Sequence, residues 1–304
     1  MRNIFLLVLL MIGLYSNAQI LSDSTVQFVG YWNLNESQLY NIVNQKYKIN
    51  GQDTVSREIF RYDSEMTIID SSSNGYTIKW TYKNFDYKTD NKFTEKLMKL
   101  AEDMSIIYTT DNLGAFQEIK NFKEIKSTID RSIDSLVIEF KDIPNINSII
   151  QQVKQTFTTK EAIQNAGINE ILYFHSPFGT LYNINLAYSN DTQLTNLYGG
   201  KPFDAKVESE IVEVDTANTS AVVKIFTTVD SKQATEATYE YIKQLSKSTN
   251  TPEPKREDIP TLNIQTRFAS NVHMPSGWVL YAINIKEVTS GEHTNIEQTE
   301  LSLK

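Results

Sequence analysis

The chain has 304 residues with 40% hydrophobic and 11% aromatic content, enough for one large core or two modest ones and too apolar for a disordered polypeptide. Its formal charge of −8 lacks the basic footprint of a general nucleic-acid binder and argues against electrostatic docking on anionic lipid. Cysteine is absent, which excludes disulfides, thiolate catalysis, Cys-ligated metals and a lipid-modified N-terminal cysteine.

Residues 1–18 have the layout of a cleaved secretory leader. Arg2 supplies the positive start, Ile4 to Leu14 form an unbroken apolar run, and Ser16-Asn17-Ala18 puts small residues where a signal peptidase reads. The run falls short of the ~20 residues a bilayer span needs, and no second apolar stretch approaches that length. The reading is a periplasmic or secreted chain of residues 19–304 with no transmembrane segment after cleavage. That region is one domain, or two lobes divided near 141–169.

Residues 38–88 read as a β-meander. Asn50-Gly51 and Asn74-Gly75 are expected at the centres of type I′ hairpin turns, which require positive φ. After the second turn, Tyr76, Ile78, Trp80 and Tyr82 alternate with Thr77, Lys79, Thr81 and Lys83, a sheet wet on one side. Asn91 to Asp103 predicts a short helix carrying Phe93, Leu97 and Met104 on one stripe. Strands follow near 105–110 and 115–119, turned by Asp111-Asn112-Leu113-Gly114.

The longest amphipathic pattern runs from Phe122 to Phe140, with Asn121 and Glu124 at capping-box spacing. Pro144 opens a second helix through Ile146, Ile150, Val153 and Phe157, and 158–168 add further turns ending at Gly167. Tyr182, Ile184, Leu186 and Tyr188 then alternate as a strand. Ala205–Val214 and Ser220–Val229 pair across the 215–219 turn. Asp230 caps a helix with Gln233 three residues on, and the Pro-containing stretch 247–261 is an exposed loop. Strands near 262–272, 277–289 and 293–303 close the chain.

Segregated runs of strands and helices predict an α+β fold. The expected architecture is one or more antiparallel, curved sheets, or a half-barrel, built of hairpins and meanders with amphipathic helices packed on one face.

The common catalytic patterns are missing. There is no G-x-S-x-G elbow, S-x-x-K, phosphate-cradling Gly-rich loop, dinucleotide fingerprint, H-E-x-x-H or EF-hand loop. No catalytic residue, metal ligand or cofactor is assigned. Glu208 and Glu210 point the same way along a strand, as a glycosidase pair would, and read as a solvated face. Only three histidines occur, His175, His273 and His293. His175, in an aromatic-flanked turn, reads as hydrogen-bonded at a strand end. Trp80 reads as core, whereas Trp32 lies in a polar stretch and is the expected exposed aromatic. The candidate ligand-binding residues are Trp32, His175, Phe178, Tyr198, Phe203 and Trp278. Tyr198 and Phe203 flank the Gly199-Gly200-Lys201-Pro202 loop.

Ser16-Asn17-Ala18-Gln19, the segment Tyr108-Thr109-Thr110-Asp111-Asn112-Leu113-Gly114-Ala115-Phe116 and the late Gly199-Gly200-Lys201-Pro202-Phe203-Asp204 give a resemblance to exported proteins of the Bacteroidota. The Lys, Asn and Ile richness agrees. Asp23-Ser24-Thr25, Asp53-Thr54-Val55, Asp134-Ser135-Leu136 and Asp215-Thr216-Ala217 look like that phylum's O-glycosylation triplets. The resemblance implies an envelope location and carries over no functional residue.

The function expected from these readings is that of a non-catalytic exported envelope protein, binding a hydrophobic small molecule or an envelope partner protein. The layout is similar to that of periplasmic lipoprotein carriers, a fold-level analogy. The alternatives are a secreted hydrolase of glycans or peptides and a structural partner of an outer-membrane assembly.

Overall fold

The computed structural model describes residues 20–21, 24–87, 102, 104–141, 168–196, 200–249 and 251–304, together with 146, 150, 154, 159–160 and 163–164. The leader read in residues 1–18 and the boundary read near 141–169 lie outside the described residues, wholly or for the most part. So does the helix read at 91–103. Of the helix read from Pro144, positions 146, 150 and 154 are described and helical, and Ile146 and Ile150 are buried.

Two short strands open the described chain, β1 (Ile20–Leu21) and β2 (Thr25–Gln27). A meander follows: β3 (Ser37–Asn50), β4 (Asp53–Ser72), β5 (Gly75–Tyr87), β6 (Ser105–Thr110) and β7 (Phe116–Ile119). Helices α1 (Phe122–Glu139) and α2 (Asn169–His175) come next. The rest is β8 (Leu181–Asn183), β9 (Tyr188–Leu194), β10 (Phe203–Asp215), β11 (Ser220–Val229), α3 (Ser231–Thr249), β12 (Leu262–His273), β13 (Trp278–Ser290) and β14 (His293–Leu303).

The described strands form an eleven-stranded open, curved sheet in the order β7-β6-β5-β4-β3-β14-β13-β12-β11-β10-β9, with a small β1-β2-β8 sheet beside it. Every pairing is antiparallel. The first meander runs outward from β3 and the second runs inward to β14. The two meet where β14 pairs with β3 from His293↔Asn50 to Leu303↔Tyr40.

Following the register across the sheet puts Tyr40, Ile42, Met66, Ile78, Trp80, Ile106, Leu301, Ala282, Phe268 and Val223 on one face, and all are buried. They belong to a core cluster that also takes Ile125, Ile129, Ile133 and Leu136 from α1 and Ile171 and Phe174 from α2. A smaller cluster joins Ala234 of α3 to Phe203, Val229 and Leu262.

Local departures from the expected pattern have physical causes. The hairpin turns sit one residue off the Asn-Gly dipeptides: Asn50 pairs with Asp53, leaving Gly51-Gln52 at the centre, and Ser72 pairs with Gly75, leaving Ser73-Asn74. Gly75 is needed for another reason, since a Cβ there would lie 2.0 Å from the Thr110 carbonyl oxygen. Asn121 does not cap α1. Its Oδ1 accepts from Ile107 N–H at 2.9 Å and its Nδ2 donates to Ser105 O at 2.9 Å, stitching the helix start to β6. Asp230 does cap α3, accepting from Gln233 N–H at 2.8 Å.

The strand read across 182–188 is replaced by the short β8, a turn and β9, because Asn183 closes the turn: its Oδ1 accepts from Asn185 N–H at 2.9 Å and its carbonyl from Leu186 N–H at 3.3 Å, and Ile184 and Leu186 are exposed. His175, read at a strand end, is instead the last residue of helix α2, because segment 169–175 buries one side at helical spacing. Ile171, Phe174 and His175 share its buried side.

Candidate functional site

Four of the six candidate residues converge. The Trp32 ring centroid lies 5.9 Å from His175, 5.5 Å from Phe178 and 5.5 Å from Trp278. Phe203 belongs to the separate cluster under α3, and Tyr198 lies outside the described residues.

The convergence is buried. Trp32 is 3% exposed, so its expected exposed role is corrected. The cause is close approach at Gly30, Gly114 and Gly277 around segment 28–32. The Trp32 indole lies over Gly30, where a Cβ would be 2.8 Å from the ring. Gly30 N–H donates to Leu113 O at 2.9 Å, Tyr31 N–H to Ser276 O at 3.2 Å, and Tyr76 O–H to Gly30 O at 2.6 Å. The polar neighbours of Trp32 serve the seal: Glu36 accepts from Trp278 Nε1 at 2.6 Å and from Asn33 N–H at 2.8 Å.

His175 is a structural residue at the C-terminus of α2. Its Nδ1 faces Gly114 O at 2.7 Å and its Nε2 faces Tyr108 Oη at 2.8 Å. A carbonyl only accepts, so Nδ1 carries the proton and Nε2 accepts from the Tyr108 hydroxyl. Burial drives its pKa down to about 3, with the Gly114 contact opposing that shift. The ring is therefore neutral. His273 Nδ1 meets Ser276 Oγ at 2.7 Å and closes the turn before β13, and His293 is exposed at the start of β14.

A second buried polar group escaped the sequence. Glu170 of α2 accepts from Tyr82 O–H at 2.5 Å and is buried beside Tyr62. Asn44 Nδ2 donates to Tyr62 Oη at 3.2 Å, and Thr299 Oγ1 donates to Asn44 Oδ1 at 2.6 Å. Burial raises the Glu170 carboxyl above its ordinary range, against the lowering pull of its hydrogen bonds from Tyr82, the backbone and Tyr62.

The open site lies on the opposite face of the sheet. A cleft of about 580 Å³ crosses β9 to β13, within the range of small-molecule pockets. Register builds its floor from two cross-strand rows: Glu208–Phe226–Arg267–Ile285 and Glu210–Lys224–Ala269–Ile283. Both carboxylates stand on β10, the two cations on β11 and β12, and the isoleucines on β13. Glu208 accepts from Lys206 at 2.8 Å, and Arg267 Nη1 donates to Glu287 at 3.1 Å. Among the described residues, Lys224 and Glu210 have no hydrogen-bond or ion-pair partner, although they are direct register partners.

The acid pair Glu208 and Glu210 was legible as same-side residues. The cations and the apolar end were not. The apolar end alone has a signal, in β13, where Ala282 turns into the core while its neighbours Ile283 and Ile285 turn outward. Among the described residues no group of three or more His, Asp or Glu side chains is placed to hold a metal ion, and no helix is long and apolar enough to cross a membrane.

Comparison with protein-family models finds no match to this chain, and comparison with curated proteins likewise finds none, so any functional reading rests on the cleft and the core described above.

Proposed function

We propose that this is a non-catalytic exported binding protein of the cell envelope. In this reading helices cover one face of a half-barrel-like sheet, and an amphiphilic ligand lies in the cleft on the other face. The carrying observation is the cleft itself, an apolar end formed by Ile283, Ile285 and Phe226 beside Glu210 and Lys224, which have no hydrogen-bond or ion-pair partner among the described residues. The buried aromatic cluster, by contrast, is filled by its own rings and supports the sheet end. The leader-like residues 1–18 and the resemblance to exported Bacteroidota proteins support the envelope setting.

The test is native mass spectrometry of the protein purified from envelopes without detergent. The expected result is an adduct of lipid mass that organic solvent extracts and that Ile283→Asp loses. A bare polypeptide mass with nothing extractable overturns the reading.

One observation favours a hydrolase as the second reading, since Glu208 and Glu210 both line the cleft. Neither carboxylate is buried. The Glu208 side chain is 44% exposed and ion-paired with Lys206, and Glu210 is exposed. Hydrolysis of aryl glycosides that Glu210→Gln abolishes is the result that would favour it.

A further inference from the structure

We propose that the cleft selects a single-chain zwitterionic amphiphile whose head begins with a primary ammonium, continues with a phosphate and ends in one acyl chain. The inference rests on the binding-protein reading and names its ligand.

The argument is the order of charges across the strands. Neighbouring strands are about 4.8 Å apart. Glu208 and Glu210 on β10 are one strand from Lys224, two from Arg267 and three from Ile283 and Ile285. A ligand laid along the Glu210–Lys224–Ala269–Ile283 row meets negative, then positive, then apolar surface, with Glu208 and Arg267 adding one charge of each sign from the neighbouring row. Two carbons separate ammonium from phosphate in an ethanolamine phosphate head, about one strand spacing.

Each simpler amphiphile leaves a charge opposed or unanswered. A fatty acid at Lys224 puts its carboxylate beside Glu210. An alkyl ammonium at Glu210 puts its charge beside Lys224. A choline head has no N–H for the two carboxylates and favours an aromatic cage, whereas of the three aromatic residues at the cleft, Tyr188, Phe226 and Phe268, only Phe226 shares the face of the charged rows by register. The two rows are neighbours on one face, separated by two residues along each strand or roughly 7 Å, the width of one chain and not of two.

The test is calorimetric titration below micelle concentration with lysophosphatidylethanolamine, its glycerol- and choline-headed counterparts of the same chain, and uncharged dodecyl maltoside. The expected order puts the ethanolamine head at least about tenfold tighter than the other two phospholipids, as loss of a charge-assisted contact predicts. Glu208→Gln with Glu210→Gln should erase that preference, and Lys224→Gln should weaken every phosphate-headed ligand by a similar factor. Circular dichroism melts confirm that each variant is folded.

Equal affinity for the three heads, or a preference untouched by the double Gln variant, overturns the inference. If dodecyl maltoside then still binds and Ile283→Asp abolishes it, ligand binding in the cleft stands without the head selectivity. No binding of any amphiphile overturns both.

Discussion

A Cβ on Gly277 would lie 2.2 Å from the carbonyl oxygen of Val29. The turn before β13 and the segment leading to Trp32 approach through that missing side chain, and Gly277 also has φ +71°. Gly277→Ala is expected to cost about 2–4 kcal/mol from clash and strain together. Gly51→Ala is the control. It has φ +60° with nothing within 4 Å, so it should cost only the left-handed penalty of about 1–2 kcal/mol. Urea unfolding of both variants checks this, and equal losses would show that the close approach is not what matters.

His175 should make stability fall in mild acid. Its folded pKa of about 3 lies below the unfolded value near 6.5. The unfolded chain takes up the proton first, so the contribution is whole above pH ~6.5 and lost as pH falls toward ~3, by up to about 1.4 kcal/mol per pH unit. His175→Gln, which can donate to Gly114 O and accept from Tyr108, should flatten that part of a stability-versus-pH curve measured in urea.

Glu170 should act in the opposite sense. Its raised folded pKa makes its contribution whole below the unfolded value of about 4.3, and that contribution is lost as pH rises through the folded value. Glu170→Gln keeps an acceptor for Tyr82 and removes the titration. Relative to the wild type it should be more stable at pH 7 than at pH 4, measured by thermal unfolding at both. A difference independent of pH would mean that the carboxyl is not the titrating group.

Asn121 distinguishes a bridge from a cap. Asn121→Ala leaves Ile107 N–H and Ser105 O without their side-chain partner, an expected loss of about 1–3 kcal/mol. Asn121→Ser would rescue a cap. Here it should lose as much as alanine, because a hydroxyl is too short to span to β6.

The sequence carried the elements whose periodicity is local. The β5 alternation, the α1 stripe, the Asp230 cap and the strands 205–214 and 220–229 all follow from spacing of 2.0 or 3.6. It did not carry what depends on long-range approach. Trp32 is polar by its neighbours and buried by Gly30 and the loops around residues 114 and 277, none of which is near it in sequence beyond Gly30. Asn121 matched the capping pattern, and the competing strand edge took its side chain. The cleft was legible only as Glu208 and Glu210, since Lys224, Arg267 and Ile283 join them through strand register that no single segment encodes.

The β14–β3 pairing has a consequence for biogenesis. Tyr40 and Leu303 are direct partners at the middle of the large sheet, so that seam cannot close until residues 293–303 have been synthesised. Formation of so non-local a contact is slow. Until then the nascent polypeptide holds two unjoined half-sheets with open edges, a state open to self-association.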